Sequence, residues 1–284
     1  MEPEKARPKS LLRRVFFSLL CIVVLSWLGL TAVLYFYQKK LIYFPKRQLD
    51  GTPAEAHLDF DDVLFQTSDG VQLHGWFIPA RPERAVVLFC HGNAGNISGR
   101  IESARLLNDM GLSVLLFDYR GYGRSEGKPS EKGTYLDAEA AWLHLVEVRG
   151  IDPGRIIIQG RSLGGAIAAH LAVRHRPKAL IVESAFTSAP ELAKRYYPFL
   201  PRWLCRFKYD TLQAVQEVSR PVLIVHSRGD DLVPFTHGER LFAAARQPKR
   251  FIALAGGHND GIWVSNKVYR EGLDAFLREY VDSD

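Results

Sequence analysis

The sequence predicts an α/β fold, in which a mostly parallel sheet carries helices on both faces and follows one transmembrane helix. Three observations predict this architecture. Short runs of apolar residues, typical of strands buried on both faces, alternate with helical patterns along most of the chain. Two strand patterns joined by a turn signal come before these runs and predict an antiparallel hairpin. A run of 23 uncharged residues, 15–37, precedes them all.

Composition and charge limit the function classes. The chain has 284 residues, 47% hydrophobic and 24% charged, as expected of a globular protein with a sizeable core. Residues 1–47 contain nine Lys/Arg and two Glu, which leaves 28 basic and 29 acidic residues in the nearly neutral remainder. A nucleic-acid partner is therefore not indicated. The three cysteines have no disulfide-framework or C-x-x-C metal spacing, so they predict no metal site and do not indicate the redox compartment.

The uncharged run predicts an N-terminal membrane anchor. Residues 1–14 form a basic tail, and residues 15–37 are long enough to span a bilayer. Trp27 and the aromatic residues 35–37 are typical of a membrane interface. A cleaved signal peptide is the alternative, but its apolar region would be shorter and a small-residue cleavage site should follow. Five basic residues before the run, against four at 39, 40, 46 and 47, favour a cytoplasmic N-terminus with the remainder outside the cytoplasm.

The rest of the chain is predicted to be a juxtamembrane linker, residues 38–57, and one α/β domain, residues 58–284. The hairpin strands are predicted at 57–66 and 71–78, joined by Ser68-Asp69-Gly70. Apolar runs predict buried strands at 85–90, 113–118, 179–183, 222–226 and 250–254, with one more beginning at Ile156. Helices are predicted at 98–108, 130–149, 238–245 and 266–280, and another through Arg174.

Residues 187–220 interrupt this alternation. They contain an aromatic and proline-rich stretch, Tyr196-Tyr197-Pro198-Phe199-Leu200-Pro201, followed by Trp203 and Phe207. One interpretation is a helical connection packed on the domain. The other is a short lid whose apolar face accepts an acyl chain, and periodicity does not distinguish the two.

A nucleophile motif lies between the strand beginning at Ile156 and the helix that follows it. Gly160-Arg161-Ser162-Leu163-Gly164 matches G-x-S-x-G, which describes a strained turn with the serine at its tip. The helix that begins after Ser162 offers backbone N–H groups to a developing oxyanion. The motif alone is a weak signal, but the strand before it and the helix after it strengthen it. Ser162 is therefore the candidate nucleophile.

An acid and a histidine follow in chain order. Asp230 and Asp231 come after the strand at 222–226, and His258 comes after the last strand in a Gly-Gly-His loop. Because the carboxyl ends of parallel strands meet at one edge of a sheet, these side chains are expected close to Ser162. Serine, acid and histidine in this order are typical of nucleophilic acyl transfer. Glu183 also ends a strand and is the second choice for the acid, whereas Asp260 is expected to stabilise its own loop.

These motifs resemble those of the α/β-hydrolase superfamily of serine hydrolases, and within it the ABHD13/BEM46-type membrane-anchored group. The residues that carry the resemblance are His91-Gly92-Asn93-Ala94-Gly95-Asn96, Asp118-Tyr119-Arg120-Gly121-Tyr122-Gly123, Gly160 to Gly165 and Gly257-His258-Asn259-Asp260. The resemblance covers nearly the whole chain. It implies an eight-stranded α/β-hydrolase fold and a catalytic triad of Ser162, Asp230 and His258. It also implies an oxyanion hole formed by the backbone N–H groups of Asn93 and Leu163.

The activity that the resemblance implies is hydrolysis of carboxylic esters or thioesters, without a cofactor. The anchor and the aromatic segment favour lipid-like acyl substrates over small soluble ones. One departure is Ser227, where many relatives carry glycine, but it affects no catalytic residue. A serine aminopeptidase is the alternative enzyme, although residues 187–220 offer only Glu191, Asp210 and Glu217 to a substrate amine. A hydrolase-like scaffold that binds without catalysis is the third possibility, and the complete set of catalytic residues disfavours it.

Overall fold

The computed structural model describes residues 9–282. Most of the predicted basic tail, residues 1–8, lies outside this range. The strands are β1 (Phe44–Pro45), β2 (Asp61–Gln66), β3 (Gln72–Ile78), β4 (Ala85–Cys90), β5 (Ala94–Gly95), β6 (Leu112–Phe117), β7 (Ile156–Arg161), β8 (Ala179–Glu183), β9 (Val222–Ser227) and β10 (Lys249–Leu254). The α-helices are α1 (Lys9–Ile42), α2 (Ile101–Asn108), α3 (Glu131–Leu143), α4 (Leu163–His175), α5 (Ala189–Tyr196), α6 (Thr211–Glu217), α7 (Phe235–Ala244), α8 (Gly261–Val264) and α9 (Asn266–Tyr280).

Eight strands form the central sheet in the order β10-β9-β8-β7-β4-β6-β3-β2. Strands β2 and β3 pair antiparallel with each other, and β3 pairs antiparallel with β6. The remaining pairs are parallel, because helices connect their strands across the faces of the sheet. The prediction of a mostly parallel eight-stranded α/β-hydrolase fold is confirmed.

Two apolar layers hold the helices on the sheet. One core lies between the sheet and α3, α4, α6 and α7, and the other between the sheet and α2 and α9. Strands β4 and β6 are buried along their whole length, since their side chains contribute to both cores alternately. Such strands have continuous apolar sequences without a polar face, and this is why the sequence located them well.

The helix predicted at 130–149 begins as expected, because the Ser130 side chain accepts a hydrogen bond from the backbone N–H of Gly133. Its last turns differ, since residues 144–148 are wound as a π-helix. The first hairpin strand begins at Asp61 instead of residue 57.

The segment predicted as a juxtamembrane linker, residues 38–57, is folded onto the domain. Helix α1 continues to Ile42, five residues beyond the predicted end of the anchor. Strand β1 then pairs in parallel with β5, with Phe44 opposite Ala94. A single-turn 3₁₀-helix at Pro53–Ala56 completes the segment. These pairings join residues about 50 positions apart, so local sequence patterns did not reveal them.

Residues 187–220 form a small layer over the carboxyl edge of the sheet. It contains α5, a 3₁₀ turn at Arg202–Leu204 and α6. Helix α6 contributes Val215 to the core beside α4, as expected of a helical connection packed on the domain. Residues 189–205, from α5 to Cys205, instead cover a cleft, as expected of a lid, and we call this stretch the lid. The two interpretations of this segment therefore describe different parts of it.

Candidate active site

The turn between β7 and α4 presents Ser162 at the carboxyl edge of the sheet. Ser162 has φ +56° and ψ −120°, a region that side-chain-bearing residues rarely adopt. Two glycines permit the close packing of this turn. A Cβ atom at Gly160 would lie 2.1 Å from the carbonyl oxygen of Gly164, and one at Gly164 would lie 2.0 Å from that of Cys90. The glycines of the motif are therefore explained by contacts between the turn, helix α4 and strand β4.

This packing predicts a large effect for Gly164→Ala. The new methyl group overlaps the Cys90 carbonyl, so β4 and α4 must separate, and overpacking of this kind costs about 1–3 kcal/mol. We expect the melting temperature to fall by about 3–10 °C, with a loss of activity because the turn moves. The control is Gly99→Ala, since a Cβ atom there meets nothing within 4 Å. Equal melting temperatures for the two variants would contradict this explanation.

The structure brings together the three residues predicted as a triad. His258 Nε2 lies 3.0 Å from Ser162 Oγ, and His258 Nδ1 lies 2.8 Å from Asp230 Oδ2. Both distances are within hydrogen-bonding range. Asp230 and His258 are each 7% exposed, so their contact is shielded from water. The three residues follow β7, β9 and β10, whose carboxyl ends lie at the same edge of the sheet.

Backbone groups fix the Asp230 carboxylate and the His258 loop. Asp230 Oδ1 accepts hydrogen bonds from the backbone N–H groups of Leu232, at 3.0 Å, and Val233, at 2.7 Å. These bonds leave Oδ2 directed at the imidazole. Arg161, next to Ser162, donates from Nη2 to the carbonyl oxygens of His258 and Asn259, both at 3.0 Å. Arg161 was not predicted to have a role at the site, and its place inside G-x-S-x-G was the available signal.

The other acids have different partners. Asp231 is exposed, and its Oδ1 accepts a hydrogen bond of 3.3 Å from the backbone N–H of His258. Asp260 Oδ1 accepts from the backbone N–H of Gly257 within the loop, the role expected from the sequence. Glu183, the second choice for the orienting acid, accepts from the Tyr269 hydroxyl at 2.5 Å and the Gln159 amide at 2.9 Å. Burial raises the pKa of Glu183, which favours its neutral form, so it is not arranged to orient His258.

The loop after β4 carries the predicted oxyanion donor Asn93. A Cβ atom at Gly92 would lie 3.6 Å from that of Ser162, so this loop passes directly beside the candidate nucleophile. The Asn93 carbonyl accepts hydrogen bonds from the backbone N–H of Phe44 and the Tyr122 hydroxyl, and its side-chain amide donates to the Ile42 carbonyl at 2.9 Å. Asn93 is thus held by the end of α1. Leu163, the second predicted donor, is the first residue of α4, where backbone N–H groups lack helical partners.

His91 begins the same loop but lies beneath it. It is fully buried, and burial lowers its pKa to about 3, so it stays neutral at physiological pH. Its Nδ1 lies 2.7 Å from the Gly92 carbonyl, and its Nε2 lies 3.5 Å from Asp118 Oδ1. Burial also raises the pKa of Asp118 to about 8. His91 therefore shapes the loop and does not reach Ser162.

Ser162 and His258 line a cleft of about 610 Å³. Its walls are mostly apolar and come from three parts of the chain. They are the carboxyl edge of the sheet, the lid, and the C-terminal turns of α1, which contribute residues 31, 34, 35, 38, 41 and 42. No Asp or Glu lines the cleft among residues 9–282. In the same range, no group of three or more His, Cys, Asp or Glu side chains is arranged to hold a metal ion.

A family model and two relatives match most of the α/β domain. Residues 85–220 match the family of the alpha/beta hydrolase fold. An uncharacterized protein of Mycobacterium tuberculosis strain H37Rv is 42% identical over 91% of this chain and 93% of its own length. The alpha/beta hydrolase domain-containing protein WAV2 of Arabidopsis thaliana is 37% identical over 88% of this chain and 90% of its own length.

Solved structures share the fold at low sequence identity. The esterase Pf2001 of Pyrococcus furiosus superposes with a TM-score of 0.71 at 21% identity, over 84% of this chain and 98% of that one. The acylaminoacyl peptidase of Pyrococcus horikoshii superposes with a TM-score of 0.58 at 17% identity, over 80% of this chain and 42% of that one. An esterase and a peptidase therefore share this architecture.

Proposed function

The chain belongs to the alpha/beta hydrolase family, and we propose that it is a membrane-anchored serine hydrolase that cleaves carboxylic ester or thioester bonds of lipid-like acyl substrates. Within the family, we place it in the ABHD13/BEM46-type membrane-anchored group. The observation that carries the proposal is the pair of hydrogen-bonding contacts from Ser162 through His258 to Asp230, at the base of an apolar cleft. This arrangement has the nucleophile, base and orienting acid of acyl transfer.

In the first step, Ser162 Oγ attacks the substrate carbonyl carbon while His258 Nε2 takes the hydroxyl proton. Asp230 accepts the hydrogen bond from His258 Nδ1, so Nε2 is the free base and the imidazolium that forms is stabilised. The tetrahedral intermediate then collapses, and His258 gives its proton to the departing alcohol or thiol. The acyl group is left as an ester on Ser162.

In the second step, a water molecule attacks this acyl-enzyme. His258 takes the water proton, a second tetrahedral intermediate forms, and its collapse releases the carboxylic acid and returns the proton to Ser162. We assign the oxyanion to the backbone N–H groups of Leu163 and Asn93. In a comparable enzyme, each such donor lowers the barrier by about 3–4 kcal/mol. The proposed reaction uses these side-chain and backbone groups and no cofactor.

The lining of the cleft favours an ester over an aminopeptidase substrate. A peptidase that binds a free substrate amine needs a carboxylate beside it, and no Asp or Glu lines the cleft within the described part of the chain. The apolar walls suit hydrocarbon instead. A binding scaffold without catalysis is the third hypothesis. Binding alone does not require Ser162, His258 and Asp230 to be aligned, so their alignment disfavours this hypothesis.

We propose that α1 is an uncleaved anchor with the catalytic domain outside the cytoplasm. Within residues 11–42, an 18-residue window has a mean hydropathy of 2.4, which is apolar enough to span a membrane. A signal sequence would also meet this criterion. The contact between the Ile42 carbonyl and Asn93 supports an anchor, because cleavage near the end of α1 would remove a support of the oxyanion loop.

One experiment tests both the anchor and the activity. Membranes from cells expressing the full chain are washed with carbonate, returned to neutral pH and assayed with p-nitrophenyl butyrate and a butyryl thioester. We expect the chain to stay in the pellet and hydrolysis to exceed that of membranes carrying the Ser162→Ala variant. Release of the full chain into the wash would contradict the anchor. Equal hydrolysis by the two membrane preparations would contradict the hydrolase.

A further inference from the structure

Helix α1 has two parts that differ in exposure. Residues 11–30 are exposed all round the helix. Beyond them, the residues at 31, 34, 35, 38 and 42 are half-buried, and their spacing of three and four places them on one face. The second part of the helix, residues 31–42, therefore has a packed face, which we call the inner face of α1.

The exposed part has the length of a bilayer. Its 20 residues, at 1.5 Å per residue, extend about 30 Å, with Arg13 and Arg14 near one surface at the headgroups and the uncharged residues 15–30 in the hydrocarbon core. If these residues span the bilayer, the membrane surface lies near Thr31. Residues 31–42, a further length of about 18 Å, then extend from the interface. Tyr35, Phe36 and Tyr37 lie in this part, where aromatic residues are typical of the interface.

The inner face of α1 is also a wall of the active site. Leu34, Tyr35 and Gln38 line the same cleft as Ser162 and His258. A spanning anchor requires no contact between its helix and the catalytic residues. Here the helix that would hold the protein in the membrane also encloses the space beside the nucleophile.

Specific contacts hold the inner face in this position. Gln38 Nε2 donates to the Leu204 carbonyl at 2.7 Å, and Gln38 Oε1 accepts from the backbone N–H of Arg206 at 2.8 Å. The Arg206 guanidinium also lies over the Tyr35 ring, 5.2 Å from its centre. These contacts join the inner face of α1 to residues 204–206 at the end of the lid. The cleft lies between α1 and the lid.

The lid exposes aromatic side chains near this junction. Trp203, next to the Leu204 carbonyl that Gln38 contacts, is 80% exposed, and Phe199 is 47% exposed. Tryptophan at such exposure is favourable where an apolar ring meets lipid headgroups. Because Trp203 lies beside the interfacial part of α1, the lid is in a position to contact the same membrane surface.

We propose that the inner face of α1 is the acyl-binding wall of the active site, and that the substrate is a membrane lipid whose acyl chain enters the cleft between α1 and the lid. This inference rests on the proposed function. The acyl chain would pass from the hydrocarbon core directly into an apolar cleft. Its methylene groups would not become exposed to water, and such exposure is unfavourable. The ester bond would then lie at Ser162, beside the Ile42 end of the inner face.

The test compares Leu34→Trp with Val33→Trp in the full chain, reconstituted in phosphatidylcholine vesicles. Leu34 lines the cleft, whereas Val33 is 55% exposed and does not line it. The measured quantity is the ratio of kcat/KM for p-nitrophenyl palmitate to that for p-nitrophenyl butyrate. We expect Leu34→Trp to lower this ratio about tenfold or more, since a bulky ring would obstruct the long chain. Val33→Trp should leave the ratio at the wild-type value.

Each outcome bears on one proposal. An unchanged ratio in a folded, butyrate-hydrolysing Leu34→Trp protein would overturn the acyl-binding wall and leave the hydrolase standing. A wild-type chain that hydrolyses neither ester would overturn the hydrolase itself. Melting temperatures establish folding, and if Leu34→Trp does not fold, Leu34→Phe replaces it with the same expected direction. A ratio lowered equally by Val33→Trp would indicate a membrane effect and also count against the wall.

Discussion

Replacing Ser162 by alanine should abolish ester hydrolysis. Without the hydroxyl group no acyl-enzyme forms, and His258 has no nucleophile to activate. Removing the corresponding serine of a serine protease lowers kcat by about 10⁶-fold, and what remains comes from the oxyanion hole and substrate binding. We expect a loss of this order here, with turnover at or near the background rate. The measurement is kcat for p-nitrophenyl butyrate, with the full chain in detergent.

Labelling by a fluorophosphonate gives a second readout of the same prediction. The reagent should modify the wild-type chain on Ser162 and leave the Ser162→Ala variant unlabelled. Ser184 provides a matched control, because it follows the neighbouring strand β8 and also has a positive φ, +46°. Ser184→Ala should be labelled at the wild-type rate. Labelling of Ser162→Ala at that rate would show that another residue is the nucleophile.

The sheet and its carboxyl edge could be predicted because their signals are local. Strands buried on both faces appear as apolar runs, and parallel strands end at one edge. The loops that carry Ser162, Asp230 and His258, after β7, β9 and β10, were therefore expected together, whereas the role of Asn93 was implied by the resemblance to α/β-hydrolases. The glycines of the nucleophile motif were also readable, because close packing at Gly160 and Gly164 excludes any side chain.

The contact between α1 and the active site could not be predicted in the same way. It joins residues far apart in sequence, as in the pairing of β1 with β5 and the bonds from Gln38 to the lid. An uncharged helix also predicts a membrane span in either case, so its sequence does not reveal whether one face packs on protein. One signal was available: Gln38 is a polar residue at the end of the run, on the same face as Leu34 and Tyr35. A polar side chain in this position requires a partner, and the lid backbone provides it.

Replacing Asp230 by asparagine should have the second-largest effect, and comparison with Asp231 tests the assignment of the acid. Asp230 Oδ2 accepts from His258 Nδ1 at 2.8 Å, which leaves Nε2 free to take the Ser162 proton. An asparagine amide in this place would donate to Nδ1 and move the imidazole proton to Nε2. In a serine protease with this arrangement, the change lowers kcat by about 10⁴-fold. We expect a loss of the same order with the fold retained, because Asn keeps an oxygen for the backbone N–H groups of Leu232 and Val233.

Asp231→Asn is the matched variant, since it makes the same chemical change one residue along the loop. Asp231 is exposed, and its contact with His258 is to the backbone N–H at 3.3 Å, not to the imidazole. An asparagine oxygen can accept the same bond, so we expect kcat to change by less than about tenfold, or about 1.4 kcal/mol of barrier. Both variants are measured with one short-chain ester, with circular dichroism as the folding control. A severe loss in Asp231→Asn beside a mild one in Asp230→Asn would reverse the assignment. Mild losses in both would make Glu183 the next acid to test. Glu183→Gln would then have to lower kcat, although Glu183 ends β8, two strands away from the strand β10 that precedes His258.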